Sequence, residues 1–167
     1  DFTLEKFMSK GFYFLATASV FNSRYAGGDN IWRDTRYNRQ YVTNLLLGKE
    51  WMLGPQGSHV LSVNTRCTYQ GGSRYSPLDL NASLQAQDAR YDERNAYTLQ
   101  VEPGLNVHLT ASYRINKKKT SHEFALKILN LTGQPDFYGH KYNFKENTLD
   151  EDVASVVIPN LSYKIDF

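Results

Sequence analysis

The most regular part of the sequence reads Leu105-Asn106-Val107-His108-Leu109-Thr110-Ala111-Ser112-Tyr113-Arg114-Ile115, in which apolar and polar residues alternate without interruption. Successive side chains of a β-strand point to opposite faces of its sheet, so this segment predicts a strand with one apolar and one polar face. Residues 61–70 and 160–167 repeat the pattern. Helical spacing of apolar residues is nearly absent, which indicates an all-β chain.

Weaker alternation predicts four further strands, in residues 2–5, 12–24, 41–51 and 122–130. In residues 41–51 the run Leu45-Leu46-Leu47 leaves open which side chains belong to which face. Because each of these segments is bounded by turn-forming or polar residues, we expect about seven strands in the whole chain.

The predicted connections alternate in length along the chain. Lys10-Gly11, Gly54-Pro55-Gln56-Gly57 and Asn116-Lys117-Lys118-Lys119 are short, whereas residues 25–36, 71–95 and 134–155 are long and polar. Antiparallel strands connected in this way place the short turns at one end of the sheet and the long loops at the other. Compact soluble domains seldom carry loops longer than about 12–15 residues, but outer-membrane barrels do so as a rule.

Aromatic residues are concentrated at both ends of the predicted strands. Those near the short turns are Phe12, Tyr13, Trp51, Tyr113, Phe124, Tyr163 and Phe167, and those near the long loops are Phe21, Tyr25, Tyr37, Tyr69, Tyr97, Phe137 and Tyr138. Two aromatic belts around an aliphatic band are typical of a β-barrel in a bilayer. A soluble β-sandwich with an aromatic core is the alternative. The unequal loops and the hydrophilic second face favour the antiparallel transmembrane barrel.

Composition excludes several other classes of protein. The 167 residues include 19 Lys and Arg against 17 Asp and Glu, and a net charge of +2 gives no support to a nucleic-acid partner. The single cysteine, Cys67, excludes an intramolecular disulfide framework and a thiolate metal cluster. No apolar run approaches the roughly 18 residues that a membrane-spanning helix needs.

Five motifs follow one another along the chain: Leu4-Glu5-Lys6-Phe7, Ser9-Lys10-Gly11-Phe12-Tyr13-Phe14, Trp32-Arg33-Asp34-Thr35-Arg36-Tyr37-Asn38, Tyr69-Gln70-Gly71-Gly72-Ser73-Arg74-Tyr75-Ser76-Pro77 and Ile158-Pro159-Asn160-Leu161-Ser162-Tyr163-Lys164-Ile165-Asp166-Phe167. In order and spacing they resemble the late barrel of TonB-dependent outer-membrane receptors of the Bacteroidetes type. The resemblance covers residues 1–167. It implies the C-terminal part of a receptor β-barrel, with the plug domain and the earlier strands upstream of this sequence.

The resemblance also implies a function and a set of partners. A barrel of about 22 strands, of which this chain is the last third, would lie in the outer membrane of a Gram-negative cell. It would take up a nutrient by energy coupling, with no enzymatic step and no cofactor. Siderophores, glycans and peptides are open as substrates. The implied partners are outer-membrane lipid, the receptor's own plug and earlier strands, TonB through the N-terminal part, and a surface lipoprotein.

The last residues resemble the signal read by the barrel-assembly machinery. Tyr163, Ile165 and Phe167 supply alternating apolar positions and a terminal aromatic ring. Ser162 stands where many such signals have glycine, which makes the match looser. The resemblance therefore implies an assembly role for this strand.

The strand count bears on whether the chain is a fragment. Bacterial single-chain barrels have an even number of strands, about eight or more, and open edges in lipid leave backbone groups without partners. Seven strands are therefore expected to belong to a longer barrel, whereas eight would allow a small complete one. Two further alternatives are an outer-membrane enzyme barrel, such as a lipid acyltransferase, and a soluble lipocalin-like binding barrel.

Candidate ligand-binding residues lie in the predicted loops and on the polar face. Mixed aromatic and cationic side chains bind sugars, peptides or anionic chelates through stacking and charged hydrogen bonds. The predicted set is Trp32, Arg33, Arg36, Tyr37, Arg66, Gln70, Arg74, Tyr75 and His108. The loop residues would equally serve to pack the loops together, and His108 would equally bond its polar neighbours. No catalytic or metal-ligating residue is predicted.

Overall fold

The computed structural model describes residues 1–167, which form mainly antiparallel β-strands. In chain order the strands are β1 (Phe2–Ser9), β2 (Phe12–Val20), β3 (Arg24–Ala26), β4 (Trp32–Asp34), β5 (Tyr41–Leu53), β6 (His59–Gln70), β7 (Arg74–Tyr75), β8 (Leu99–Gln100), β9 (Gly104–Asn116), β10 (Ser121–Leu129), β11 (Asp136–Asn143), β12 (Thr148–Ala154) and β13 (Ile158–Asp166). Between β7 and β8 lies one helix, α1 (Leu80–Ala86), and 3₁₀-helices cover Pro55–Gly57 and Glu93–Asn95.

Seven long strands form one antiparallel sheet in the order β1-β2-β5-β6-β9-β10-β13. Each predicted strand is present in this sheet, so the prediction of an all-β antiparallel fold is confirmed. Its boundaries were partly wrong, since β2 ends at Val20 and β5 continues to Leu53. The short strand pairs β3–β4, β7–β8 and β11–β12 were not predicted. Strands β3, β4, β7 and β8 have only two or three residues each, too few to show alternation. Strands β11 and β12 mix polar and apolar residues, and their register shifts between Phe137 and Gly139.

The strand register sorts the sheet residues into two faces that continue across all strands. One row of paired residues carries the aromatic belt beside the short turns: Trp51, Leu61, Tyr113, Phe124 and Tyr163. A row on the opposite face is polar: Gly48, Asn64, Thr110, Lys127 and Asn160. Leu46 pairs with Leu15 and Arg66 and therefore belongs to the polar face, whereas Leu45 and Leu47 belong to the apolar face.

The apolar face is not covered by a second layer. Ala96, in a loop, is the only buried hydrophobic residue of the chain. On the apolar face Leu161 of the edge strand is 82% exposed, and Leu61, Val63 and Leu109 of the central strands are half-buried. A β-sandwich would bury such a face between two sheets. The principal contacts of each long strand are instead with its hydrogen-bonded neighbours. The sheet thus has one exposed apolar face, one polar face and no conventional core.

Both edges of the sheet are open. Strand β1 pairs only with β2, and β13 pairs only with β10, so each edge presents a row of unpaired backbone groups. All residues of β1 and β13 are exposed. The α1 helix has seven residues, and no helix of the structure has the length and apolar character needed to cross a membrane.

The connections sort to opposite ends of the sheet, as predicted. The short turns follow β1, β5 and β9, and the three long loops cover residues 21–40, 71–103 and 130–157. At the first turn Lys10 and Gly11 have φ angles of 52° and 70°, which a two-residue hairpin of this hand requires. A Cβ at Gly11 would also collide with the carbonyl oxygen of Glu50.

Candidate functional site

The three long loops meet over one end of the polar face and enclose a cavity of about 430 Å³, which we call the mouth cavity. Gln70 and Asn106 of the polar face line it from below. Arg36 and Tyr37 contribute from the first loop. Because the loops lean over the polar face, the polar rather than the apolar side of the sheet leads to this site.

A second cavity of about 180 Å³ lies beside the mouth cavity, between the second and third loops. Arg36, Tyr75 and Phe137 line both cavities. The Arg36 side chain takes part in none of the ion pairs of the structure. An exposed, uncompensated guanidinium between two cavities can donate charged hydrogen bonds to a ligand that occupies either one.

The first and second loops are joined through Asp34, Asn38 and Arg74. Asn38 is 1% exposed, and its amide donates to Asp34 Oδ1 at 2.7 Å. Arg74 pairs with Asp34 Oδ2 at 3.3 Å, and its Nε donates to the Asn38 carbonyl at 3.1 Å. Partial desolvation opposes ionisation of Asp34, but the hydrogen bonds from Asn38 and Arg24 and the charge of Arg74 outweigh it and lower the pKa of Asp34. This arrangement fixes the shape of the mouth.

We expect Asp34→Asn to loosen the first and second loops, because the substitution leaves Arg74 without its charged partner. Since folding lowers the pKa of Asp34, the stabilisation is complete above the unfolded value of about 3.9 and is lost as the pH falls through the lower folded value. The protection factors for hydrogen exchange in residues 24–38 should therefore stay high at pH 5 and fall only in strong acid.

The matched control for this prediction is Asp88→Asn in the second loop. Asp88 pairs with Arg90 at 3.5 Å, and both side chains are more than half exposed. Such a pair contributes little to stability. Equal acceleration of exchange in residues 24–38 by both variants would show that the Asp34 cluster does not hold the loops.

An aromatic cluster joins the second loop to the third. The ring of Tyr75 lies 5.0 Å from that of Phe137 and 5.8 Å from that of His140. The hydroxyl of Tyr91 accepts a hydrogen bond from the His140 backbone N–H at 3.0 Å. Sequence analysis missed His140, because its partners Tyr75 and Tyr91 are distant in the chain.

The structure brings together only part of the predicted ligand-binding set. The mouth cavity is lined by Arg36, Tyr37, Gln70 and Tyr75. Arg74 lines the smaller cavity, and it also joins the second loop to the first through its hydrogen bond to the Asn38 carbonyl. Trp32, which is 69% exposed, and Arg33, which is bound to Asp29 at 2.8 Å, line neither of the two loop cavities. The Asp29–Arg33 pair lowers the pKa of Asp29 to about 2.

Two other predicted residues of the long strands, Arg66 and His108, lie below the mouth. Arg66 and His108 are cross-strand partners on the polar face. The Nδ1 atom of His108 accepts the backbone N–H of Asn130 at 3.2 Å, which matches the alternative in which this histidine bonds its neighbours. Arg66 is exposed on the polar face and borders neither loop cavity.

The mouth cavity also contains polar residues that sequence analysis did not select. Glu102, Asp136 and Glu151 place carboxylates in its wall. They carry no motif, and only the convergence of three loops reveals their proximity. By contrast, Gln134 and Arg39 of the same wall are engaged with the backbone of Leu105 and Gly71 and act in loop packing.

Three consecutive acidic residues of the third loop, Asp150, Glu151 and Asp152, lie in β12, so their side chains point to alternate sides of the strand. Asp152 pairs with Lys141 at 2.9 Å, and Asp150 accepts from Asn143 at 2.8 Å. Glu151 points to the other side of β12, toward the mouth cavity. No group of three or more His, Cys, Asp or Glu side chains is arranged to hold a metal ion.

The residues of the predicted assembly signal lie on the apolar face at the open edge. The ring of Tyr163 lies 4.8 Å from that of Phe124 in a tilted arrangement, and Ile165 pairs with His122. Phe167 is 96% exposed.

Comparison of the chain with protein-family models, with curated proteins and with solved structures gave no match.

Proposed function

We propose that this chain forms part of the wall of an outer-membrane β-barrel, with its apolar face toward lipid and its polar face toward the lumen. The observation that carries the proposal is the exposed apolar face, which is continuous over seven strands while the opposite face is polar. Soluble proteins rarely expose so large an apolar surface. Contact of such a face with lipid has a lower free energy than its contact with water.

The position of the loops supports the same orientation. They close over the polar face, so a ligand that enters the mouth cavity meets Gln70 and Asn106 rather than aliphatic side chains. A lipocalin-like binder would enclose its apolar face instead. The aromatic row at the short-turn end would then lie at the inner interface of the bilayer.

The open edges support a barrel of more strands than this sheet contains. In lipid, each unpaired backbone group of β1 and β13 would cost several kcal/mol. Pairing with further strands removes this penalty. We therefore propose that the seven strands belong to a longer barrel of the TonB-dependent receptor type, with a plug domain inside the complete protein.

In this proposal the function is energy-coupled uptake of a nutrient that binds first at the mouth cavity. The groups of the cavity wall available to such a ligand are a guanidinium, a phenol, two amides and three carboxylates: Arg36, Tyr37, Gln70, Glu102, Asn106, Asp136 and Glu151. These groups suit a polar ligand with several hydrogen-bonding positions. The siderophore, glycan and peptide classes all meet that description.

The test of uptake uses a strain without the full-length protein. Growth on limiting iron, glycan and peptide sources identifies the nutrient whose uptake is lost, and the gene is then restored with Arg36→Ala. We expect an apparent affinity at least about tenfold weaker, because a hydrogen bond to a charged group contributes about 1.5–3 kcal/mol. Lys145→Ala, an exposed loop change outside both cavities, should restore uptake fully. Uptake that is insensitive to Arg36→Ala would exclude this cavity as the entry site.

A further inference from the structure

The charged residues of the apolar face are all basic. Lys6 and Lys49 are its only charged side chains, and both lie in the half of their strand that leads to a short turn. The short turns add Lys10 and the Lys117-Lys118-Lys119 run, without an acidic residue. The short-turn end of this face is therefore uniformly cationic.

The turn lysines have no acidic partner within the chain. None of them takes part in an ion pair. The acidic residues on the strands beside the Lys117-Lys118-Lys119 turn belong to the polar face, where Glu123 pairs with Arg114 at 2.6 Å and Asp166 pairs with Lys164 at 2.9 Å. The positive charge of the turn is thus left for a group outside the chain.

An apolar groove of about 480 Å³ begins on the same face below this turn. Its apolar walls come from four adjacent strands: Leu61, Ala111, Tyr113, Phe124, Leu126, Leu161 and Tyr163. Four residues of extended chain separate Tyr113 from Lys117, a distance of about 13 Å along the strand. A long hydrocarbon chain can lie in the groove while a polar group at its end reaches the lysines.

Two histidine–tyrosine pairs mark the boundary between the groove and the turn. The Nδ1 atom of His122 lies 2.8 Å from the hydroxyl of Tyr163, and that of His59 lies 2.6 Å from the hydroxyl of Tyr113. These polar groups stand at the end of an otherwise apolar groove. Such a transition from hydrocarbon to polar contacts matches the boundary between an acyl chain and its head group.

We propose that this surface binds an anionic phospholipid, with its phosphate at the Lys117-Lys118-Lys119 turn and an acyl chain in the groove. The inference rests on the proposed function, since it requires the apolar face to lie in a bilayer. Charge complementarity selects the ligand: three adjacent cations without internal partners attract an anionic head group over a zwitterionic one.

The test measures lipid retention by the purified full-length protein in native mass spectrometry. The protein is incubated in detergent with equal amounts of phosphatidylglycerol and phosphatidylcholine of the same chain length. We expect phosphatidylglycerol to be retained preferentially. The triple variant Lys117→Gln, Lys118→Gln, Lys119→Gln should reduce that preference at least about tenfold, because each lysine contributes to binding an anionic surface.

Two further variants separate the head-group contact from the groove. Leu126→Trp fills the groove without adding charge and should lower retention of both lipids, since both have the same acyl chains. Lys145→Gln removes a lysine at the opposite end of the molecule and should change nothing. Each variant is first checked for heat-modifiable mobility, which reports a folded barrel.

The outcomes distinguish this inference from the proposed function. A heat-modifiable, membrane-inserted protein that retains both lipids equally, with or without the turn lysines, would overturn the lipid site and leave the barrel proposal intact. A protein that is absent from the outer membrane would overturn both. Loss of preference in the triple variant alone, with Lys145→Gln unaffected, would support the site.

Discussion

Leu109→Arg should destabilise the folded protein in lipid by about 2–4 kcal/mol, whereas Thr110→Arg should change its stability little. The two positions are adjacent in β9 but belong to opposite faces of the sheet. Leu109 pairs with Thr65 and Ile128 on the apolar face, so an arginine there enters hydrocarbon. Thr110 pairs with Asn64 and Lys127 on the polar face, where water can solvate the new charge.

The measurement is urea unfolding of the full-length protein in lipid vesicles, followed by heat-modifiable mobility on a gel. Lys127 opposite Thr110 adds a like-charge contact that costs about 0.2–1 kcal/mol, which is smaller than the effect expected at Leu109. Equal destabilisation by the two arginines would mean that the two faces meet the same environment, as in a soluble domain.

Gly48→Val should destabilise the protein by about 2–4 kcal/mol, from overpacking and a lost hydrogen bond together. Gly48 is buried in the polar face, where the ring of Tyr13 lies directly over it. A Cβ at this position would collide with that ring and with Asn64 Oδ1. Displacement of the ring would also break the hydrogen bond from the Tyr13 hydroxyl to Asn64 Oδ1, which is 2.6 Å long.

A double-mutant cycle with Tyr13→Ala and Gly48→Ala separates this explanation from intrinsic strand preference. If the ring causes the strain, Gly48→Ala should cost much less in the Tyr13→Ala background than in the native protein. The same unfolding assay gives all four free energies. Additive effects of the two substitutions would show that the tyrosine ring is not what excludes a side chain at residue 48.

The strands and their faces could be predicted because alternation is a local signal. Residues 105–115 lie in β9 with the predicted faces, and Tyr113, Phe124 and Tyr163 near the short turns are cross-strand neighbours. Tyr13 lies instead on the polar face, opposite Gly48. Local sequence could not assign Leu45, Leu46 and Leu47, since a run of like residues has no period. Their pairing with β2 and β6 resolves it, and pairing is a non-local property.

The loops were predicted less well because their partners are distant in sequence. Arg74 was predicted to bind a ligand, but its guanidinium forms an ion pair with Asp34 and its Nε donates a hydrogen bond to the Asn38 carbonyl. Arg33 is different, since its partner Asp29 is only four residues away and the pair could have been anticipated from the hairpin between them. No sequence pattern indicates that Glu102 and Glu151 line the same cavity.

The orientation of the sheet in a membrane is tested most directly by thiol labelling of intact cells. Single cysteines replace Gly28, Gln85 or Lys145 in the long loops, or Lys118 in a short turn of the full-length protein, after Cys67 is changed to serine. All four positions are exposed, and a Cβ at Gly28 meets no atom within 4 Å. Reactivity toward an impermeant reagent therefore reports which side of the membrane each position occupies.

The proposed barrel predicts rapid labelling of the three loop cysteines on sealed cells and labelling of the Lys118 position only after the outer membrane is opened. Labelling of the Lys118 position on sealed cells, at the same rate as the loop positions, would contradict a sheet that spans the membrane with its long loops outside.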